Sequence, residues 1–279
     1  MKKEIIILFF CLLNALAFSQ NKTDDAGKKQ GPWVKMDKQT GKKIYEGVFK
    51  DDKPQGTFKY YYPASDSVRT KMSFKNDGKY AYATMFHLNG KLQAKGKYIG
   101  ELKDSIWTYY DEMAKLLSYE TYKEGKKNGK SLVYYPSGNI SEEKNYKMGL
   151  LDGPFKQLYD DKKTKAEGTY SEDQFIGKCT FYFPNGVAVA NGVYEKGGIK
   201  KGIWLYKTIE NKVESREVWI NGKQLSEKLA EEYFKKNKIP ESTEKEIKEI
   251  KTVEKKKTNN VINKTTTKVS KQWVGKEKY

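Results

Sequence analysis

The sequence predicts an all-β fold: an elongated antiparallel meander of about eight β-hairpin repeats, followed by a short C-terminal helix and a disordered tail. Three observations carry that expectation. An aromatic side chain returns at Phe49, Phe74, Tyr98, Tyr122, Tyr146, Tyr170, Tyr194 and Trp219, in steps of 24 or 25 residues. A column of small residues (Gly31, Gly56, Ala81, Ser105, Gly129, Gly153, Gly177 and Gly202) precedes it by 17 or 18. Two residues after each small one stands Trp33, Phe58, Ala83, Trp107, Ser131, Phe155, Cys179 or Trp204, mostly aromatic. A period of this size, held over about 190 residues, marks stacked units that share a core and not a compact enzyme-like globule.

Residues 1–19 read as a secretory signal. Lys2 and Lys3 supply the positive start, residues 5–17 are nearly all apolar, and Ala15-Leu16-Ala17 or Ala17-Phe18-Ser19 offers small residues for cleavage. The run is shorter than the ~20 residues a membrane-crossing helix needs. Export therefore places the mature chain, from Gln20, in the periplasm, on the envelope or outside the cell. Phe9 and Phe10 before Cys11 are too bulky for a lipoprotein site. Residues 20–29 form an N-terminal linker.

The repeat domain covers residues 30–224. Each unit opens with a strand, because the large side chains two apart, such as Phe58 and Tyr60 or Trp107 and Tyr109, line one face of an extended chain. Turns follow at Leu88-Asn89-Gly90, Pro136-Ser137-Gly138 and Pro184-Asn185-Gly186, where Asn-Gly tolerates positive φ at both central positions. A second strand, such as Leu116-Leu117-Ser118-Tyr119-Glu120-Thr121-Tyr122, ends on the repeated aromatic. A Gly-rich link, Lys123-Glu124-Gly125-Lys126-Lys127-Asn128-Gly129, leads to the next unit. Apolar spacing of three and four is absent, which argues against a helical solenoid.

Residues 225–240 form a capping helix, with Leu225, Leu229, Ala230 and Tyr233 on one side and Ile239-Pro240 as its stop. Its expected place is the open edge of the last hairpin. Residues 241–279 are a Lys-rich tail whose composition predicts disorder. Trp273 lies within it as a candidate docking residue.

A glycine followed by an aromatic, a Tyr134-Tyr135-Pro136-Ser137-Gly138-Asn139 turn and the Tyr122 to Gly129 link resemble the variant MORN repeats of bacterial proteins, many labelled YwqK family antitoxin. The resemblance covers roughly residues 30–222 and is strongest over 123–138 and 181–194. Unit three departs at Ala81 and Ala83, and unit two carries an extended turn, Pro63-Ala64-Ser65-Asp66-Ser67. It implies a β-hairpin array that serves as a platform for other molecules. The antitoxin label implies a neutralised toxin in the cytoplasm, which an exported chain does not fit.

The net charge is +18, from 54 basic and 36 acidic residues. That favours anionic partners, an acidic glycan or lipid headgroups among them. Nucleic acid is not expected: only Arg69 and Arg216 are arginines, and lysine lacks the planar fork used for specific phosphate and base contacts. The charge is spread through the units, consistent with solvated lysine stems lying over aromatic faces.

No catalytic constellation emerges. His87 is the only histidine, placed on the opening strand of unit three, and one imidazole builds neither a zinc site nor a triad. Asp51-Asp52 and Asp160-Asp161 fall in turns, and the glycines follow the repeat period, not a phosphate loop. Once the signal is removed Cys179 is the single thiol, read as a small buried apolar side chain. The expectation is therefore no enzyme, no metal and no cofactor. The candidate binding surface is Trp33, Tyr60, Trp107, Tyr109, Phe181, Trp204 and Tyr206, the same residues that would make the core. The expected partner is a protein or a cell-envelope component, or, as an alternative, a carbohydrate or anionic surface met by aromatic and lysine rows. No oligomeric state is indicated.

Overall fold

The computed structural model describes residues 20–240. The signal expected at 1–19, with Cys11, and the tail expected at 241–279, with Trp273, lie outside the described residues. Strands run β1 (Lys22–Thr23), β2 (Lys29–Met36), β3 (Lys43–Lys50), β4 (Lys53–Tyr61), β5 (Val68–Lys75), β6 (Tyr80–Phe86), β7 (Leu92–Ile99), β8 (Leu102–Tyr110) and β9 (Leu116–Lys123). They continue as β10 (Lys126–Tyr134), β11 (Ile140–Lys147), β12 (Leu150–Leu151), β13 (Gly153–Leu158), β14 (Thr164–Ser171), β15 (Gln174–Tyr182), β16 (Ala188–Glu195), β17 (Ile199–Lys207), β18 (Val213–Ile220) and β19 (Lys223–Gln224). One helix, α1 (Glu227–Lys236), follows. Consecutive strands pair antiparallel, except that β11 takes both β12 and β13 as partners, giving one open 19-stranded meander. Setting aside the two-residue pieces β1, β12 and β19, sixteen longer strands remain, the eight expected hairpins.

The small column has a geometric reason. Gly31, Gly56, Ser105, Gly129, Gly153, Gly177 and Gly202 all have positive φ, from 59° at Ser105 to 113° at Gly153. Beside several of them the ladder slips. Between the pairs Glu46↔Lys59 and Val48↔Gln55, β3 advances two residues while β4 advances four. The same slip recurs between Lys95↔Thr108 and Lys97↔Asp104. Because the excess is even, side chains after it keep their face. Unit three has Ala81 in place of the positive-φ residue, and its β5–β6 ladder runs without a shift.

The turns differ from the sequence expectation. Gly90, Gly138 and Gly186 have positive φ, but Asn89 and Asn185 do not. Each asparagine instead folds its side chain back: Asn185 Oδ1 accepts from the Val187 N–H at 3.0 Å. Its Nδ2 donates to the Ile209 carbonyl of the next unit at 2.8 Å. Asn89 does the same with Lys91 and Glu112. One residue position serves the local turn and the neighbour together.

Units are also tied by a side-chain ladder just beyond each opening strand. The hydroxyls of Tyr62, Tyr135 and Tyr159 donate to the carbonyls of Phe86, Leu158 and Tyr182 in the following unit, at 2.7 to 2.8 Å. On the other side of the sheet, link backbones stack: the Gly125 and Gly149 N–H groups donate to the Lys103 and Lys127 carbonyls.

The N-terminal edge is closed by more than β1. Asn21 Oδ1 accepts from the Val34 N–H at 2.8 Å and Asn21 Nδ2 donates to the Val34 carbonyl at 3.0 Å. The amide thus stands in for a neighbouring peptide and blunts the edge of β2. At the other end α1 sits against β18, the last long strand of the sheet. It packs on a face of the sheet, where Ala230 and Phe234 bury Val218 with Ile203, Leu225, Tyr233 and Ile239. Burial of apolar area decides its position: Val218 is fully enclosed, and the Arg216 guanidinium lies 4.1 Å from the Phe234 ring centroid. Among the described residues no helix is long and apolar enough to cross a membrane.

Candidate functional site: two faces of one sheet

Strand alternation divides the side chains into two sets. The front face carries the column of Phe58, Ala83, Trp107, Ser131, Phe155, Cys179 and Trp204, all buried. Opposite these, two positions before each repeated aromatic, stand Gly47, Gly96, Gly168 and Gly192. Their missing side chains are slots. A Cβ on Gly96 would meet Trp107 at 2.2 Å, and on Gly192 it would meet Trp204 at 2.3 Å. A Cβ on Gly47 would meet Phe58 at 2.5 Å, and one on Gly168 would meet Cys179 at 2.3 Å. Phe58, Cys179, Trp107 and Trp204 therefore each seat on a glycine of the unit before. The repeated aromatics close the sides, with Tyr98 edge-on to Trp107 at 4.9 Å and Tyr194 edge-on to Trp204 at 4.8 Å.

The outer surfaces of these rings are covered by the chain's own lysines. Lys103 Nζ sits 4.7 Å from the Trp107 ring and 5.1 Å from both Tyr109 and Tyr122, and donates to the Tyr109 hydroxyl at 2.7 Å. Lys200 repeats this against Trp204, Tyr206 and Trp219, and also pairs with Glu217 at 3.2 Å. Burial and its bond to the Glu120 carboxylate push the Tyr122 phenol well above its ordinary pKa.

All seven residues singled out from the sequence share this front face. Trp107 and Trp204 are core and offer no exposed surface, which corrects their place in a binding surface. Trp33, Tyr60, Tyr109, Phe181 and Tyr206 are half-buried. Trp33 is held by its N–H to the Lys22 carbonyl at 3.2 Å, and Tyr60 lies against Tyr45 at 6.0 Å. Phe181 packs on the Phe155–Cys179 cluster. The structure brings the set together, but mostly to hold the units to one another.

The back face is the more open one. Val48, Tyr82, Ile106 and Val193 lie exposed on it, Tyr82 at 51%. The strand register aligns Glu46, Lys59, Lys71, Thr84, Lys95 and Thr108 side by side on consecutive strands. Lys59 and Lys71 are directly opposite one another. Lys59 pairs with Glu46 at 2.9 Å, whereas Lys71 approaches only the Phe86 ring, 5.5 Å away. Among the described residues Arg69, Lys71 and Lys95 have no carboxylate partner. Two residues along runs a second aromatic column: Tyr61, Phe86, Tyr110, Tyr134 and Tyr182, each half-buried. Sequence reading missed this column. Its signal was the doubled tyrosines Tyr60-Tyr61 and Tyr109-Tyr110, where the second ring of each pair turns to the opposite face.

The remaining chemistry-bearing side chains do structural work. His87 lies just past β6, not within it, at the ladder position other units fill with tyrosine. Its Nε2 is 3.0 Å from the Tyr110 carbonyl, an acceptor only, so that nitrogen carries the proton. Cys179 is fully enclosed, and burial pushes its thiol up. Asp52 accepts the Lys29 N–H, while Asp160 accepts from Ser137 and Asn139 of the preceding unit. Among the described residues no three His, Cys, Asp or Glu side chains converge to hold a metal ion.

No family model matches the chain, and no curated protein matches it either. Among solved structures, a point mutant of S. aureus TarM in complex with fondaparinux, α-GlcNAc-glycerol and UDP is similar over 47% of this chain and 22% of its own, at 15% identity and a TM-score of 0.23. The Photorhabdus luminescens Tc holotoxin pore is similar over 71% of this chain and 13% of its own, at 10% identity and a TM-score of 0.20. The chain thus spans less than a quarter of either structure's length.

Proposed function

We propose that the protein is an exported, non-catalytic scaffold of MORN-like repeats that presents a long face to another protein or to the cell envelope. The division of labour between the faces supports this reading. The front face spends its rings on holding unit to unit, with Trp107 and Trp204 enclosed and capped by lysines. The back face keeps Tyr82, Ile106 and Val193 exposed, and in the neighbouring row Lys71 and Lys95 have no acid partner among the described residues. A rod of this kind offers surface and not a pocket as its functional asset. Export rests on residues 1–19 as read from the sequence.

Photocrosslinkers at Tyr82 and Ile106, with Lys35 on the front face as the comparison, test the proposal in the native cell envelope. The reading expects adducts from the two back-face positions and few from Lys35. Equal yields at all three positions, or a cytoplasmic protein, would contradict it. The row in which Lys59 faces Lys71, and Lys71 and Lys95 lack an acid partner, favours a second reading, a carbohydrate or anionic-surface module. In that case the back-face rings, not Trp107 and Tyr109, would make contact. The antitoxin reading is the third; co-expression with a neighbouring toxin gene, and failure to rescue growth, would dispose of it.

A further inference from the structure

We infer that the back face of units two to four binds a linear anionic polysaccharide laid across the strands, one acidic disaccharide per hairpin. This rests on the scaffold reading above and names its partner class. Tyr61, Phe86 and Tyr110 stand at equivalent points of β4, β6 and β8. Alternate strands lie roughly 10 Å apart, which sets the pitch of this ring row. Lys71 and Lys95 stand on β5 and β7, in a parallel row two residues along the strands from the rings and at the same pitch. The hairpins of units two and three therefore each offer one half-buried ring and one cation without a carboxylate, and Tyr110 adds the ring of unit four, where Tyr119 stands in the lysine position. A pyranose stacks its C–H face on such a ring, while a carboxylate or sulfate on the next sugar meets the ammonium. An extended β-linked disaccharide is close to one hairpin repeat in length, so a sugar laid along the ring row meets a ring once per disaccharide, with the lysine row running beside it for the acidic groups.

The charges argue for an anion. Like charges directly opposite on neighbouring strands destabilise a sheet, and Lys59 faces Lys71 in this way. An acidic polymer offsets that repulsion; a second copy of the chain, bearing the same excess, would add to it. Shape argues for a polymer over a membrane. Adjacent strands rotate by roughly 20°, so a flat bilayer loses the row after a few strands, whereas a linear chain follows it around the rod.

The test is calorimetric titration of the mature chain with hyaluronan and chondroitin sulfate oligosaccharides. Neutral chitin oligosaccharides, polyglutamate and phosphatidylglycerol vesicles serve as comparisons. The inference expects binding to at least one acidic glycan and none to chitin. Tyr110→Ala and the pair Lys71→Gln/Lys95→Gln should each weaken it about tenfold or more, with circular dichroism unchanged. The pair Lys35→Gln/Lys38→Gln, off this face, should leave it nearly intact. Equal weakening by the two lysine pairs would reduce the effect to diffuse charge and overturn the inference. So would equal affinity for polyglutamate or vesicles, or no binding to either glycan. Back-face crosslinks to a protein without glycan binding would remove this inference and leave the scaffold standing.

Discussion

Gly96 lies under the indole of Trp107 so closely that a Cβ at this glycine would fall 2.2 Å from the ring. The contact joins two units, since Gly96 closes the third and Trp107 opens the fourth. Gly192 and Trp204 repeat it four units on. A hairpin alone buries too little to be stable. The glycine slot lets a neighbour's largest side chain cover the backbone of the hairpin before it.

Substituting Gly96 by alanine should therefore cost about 2–3 kcal/mol, because the clash is with the rigid body of a ring and the core is full. Trp107→Ala should cost about 3–5 kcal/mol. The double variant should be clearly less destabilised than the sum, since the Cβ then enters space the indole has vacated. Denaturant unfolding of the four proteins checks this; strict additivity would mean that the two residues do not share the contact.

The asparagines at the turns make a second case. Asn185→Ala removes one bond within its turn and one to the next unit, from exposed groups that water can partly satisfy. A loss of about 1 kcal/mol is expected. Tyr135→Phe removes only the bond to the Leu158 carbonyl and should cost less. Thermal melts of both variants decide the order.

Acid should weaken the back-face row through Glu46. Hydrogen bonds from Lys43 and Lys59, and one with the Tyr61 hydroxyl, hold its carboxyl at about 2 against an ordinary 4.5. The folded pKa is depressed, so the contribution is fully present above pH 4.5 and is lost as pH falls through about 2. Solvent screening limits it to about 1 kcal/mol. Glu46→Gln should be less stable than the parent at neutral pH, with the gap closing toward pH 2. A gap that widens in acid would reverse the assignment.

Cys179 is enclosed and burial pushes its thiol up, so a thiol reagent should modify it in the native protein only at the rate of opening. Reaction should become fast in denaturant. Rapid labelling without denaturant would place this side chain on the surface.

Much of the architecture was legible because the period is visible without knowing any contact. The aromatic at Phe49, Phe74 and Tyr98 places second strands, and the small column places the links, which the structure explains by positive φ. The absence of a ladder shift in unit three follows from Ala81, a departure plain in the sequence. The glycine slots were not legible. Gly47, Gly96, Gly168 and Gly192 alternate with Met72, Glu120, Lys144 and Glu217 at the same position, so the column is uniform only once each partner is known. Which face each ring occupies depended on register, and periodicity does not give register. That is why Trp107 and Trp204 entered a candidate surface while Tyr61, Phe86 and Tyr110 were overlooked. The helix was found, but its docking on Val218 required knowing that Ile203 and Leu205 share the back face with it.

The central claim is that units add along one axis. Electron–electron spin distances test it most directly, measured from a label at Lys38 to labels at Met113, Lys162 and Glu210 in a Cys179→Ser background; all four sites lie in exposed turns of units one, four, six and eight. The distances should climb steadily with unit number, by roughly 10 Å per hairpin. A distance that levels off or shortens between Met113 and Glu210 would show a chain folded back on itself, and would contradict the account.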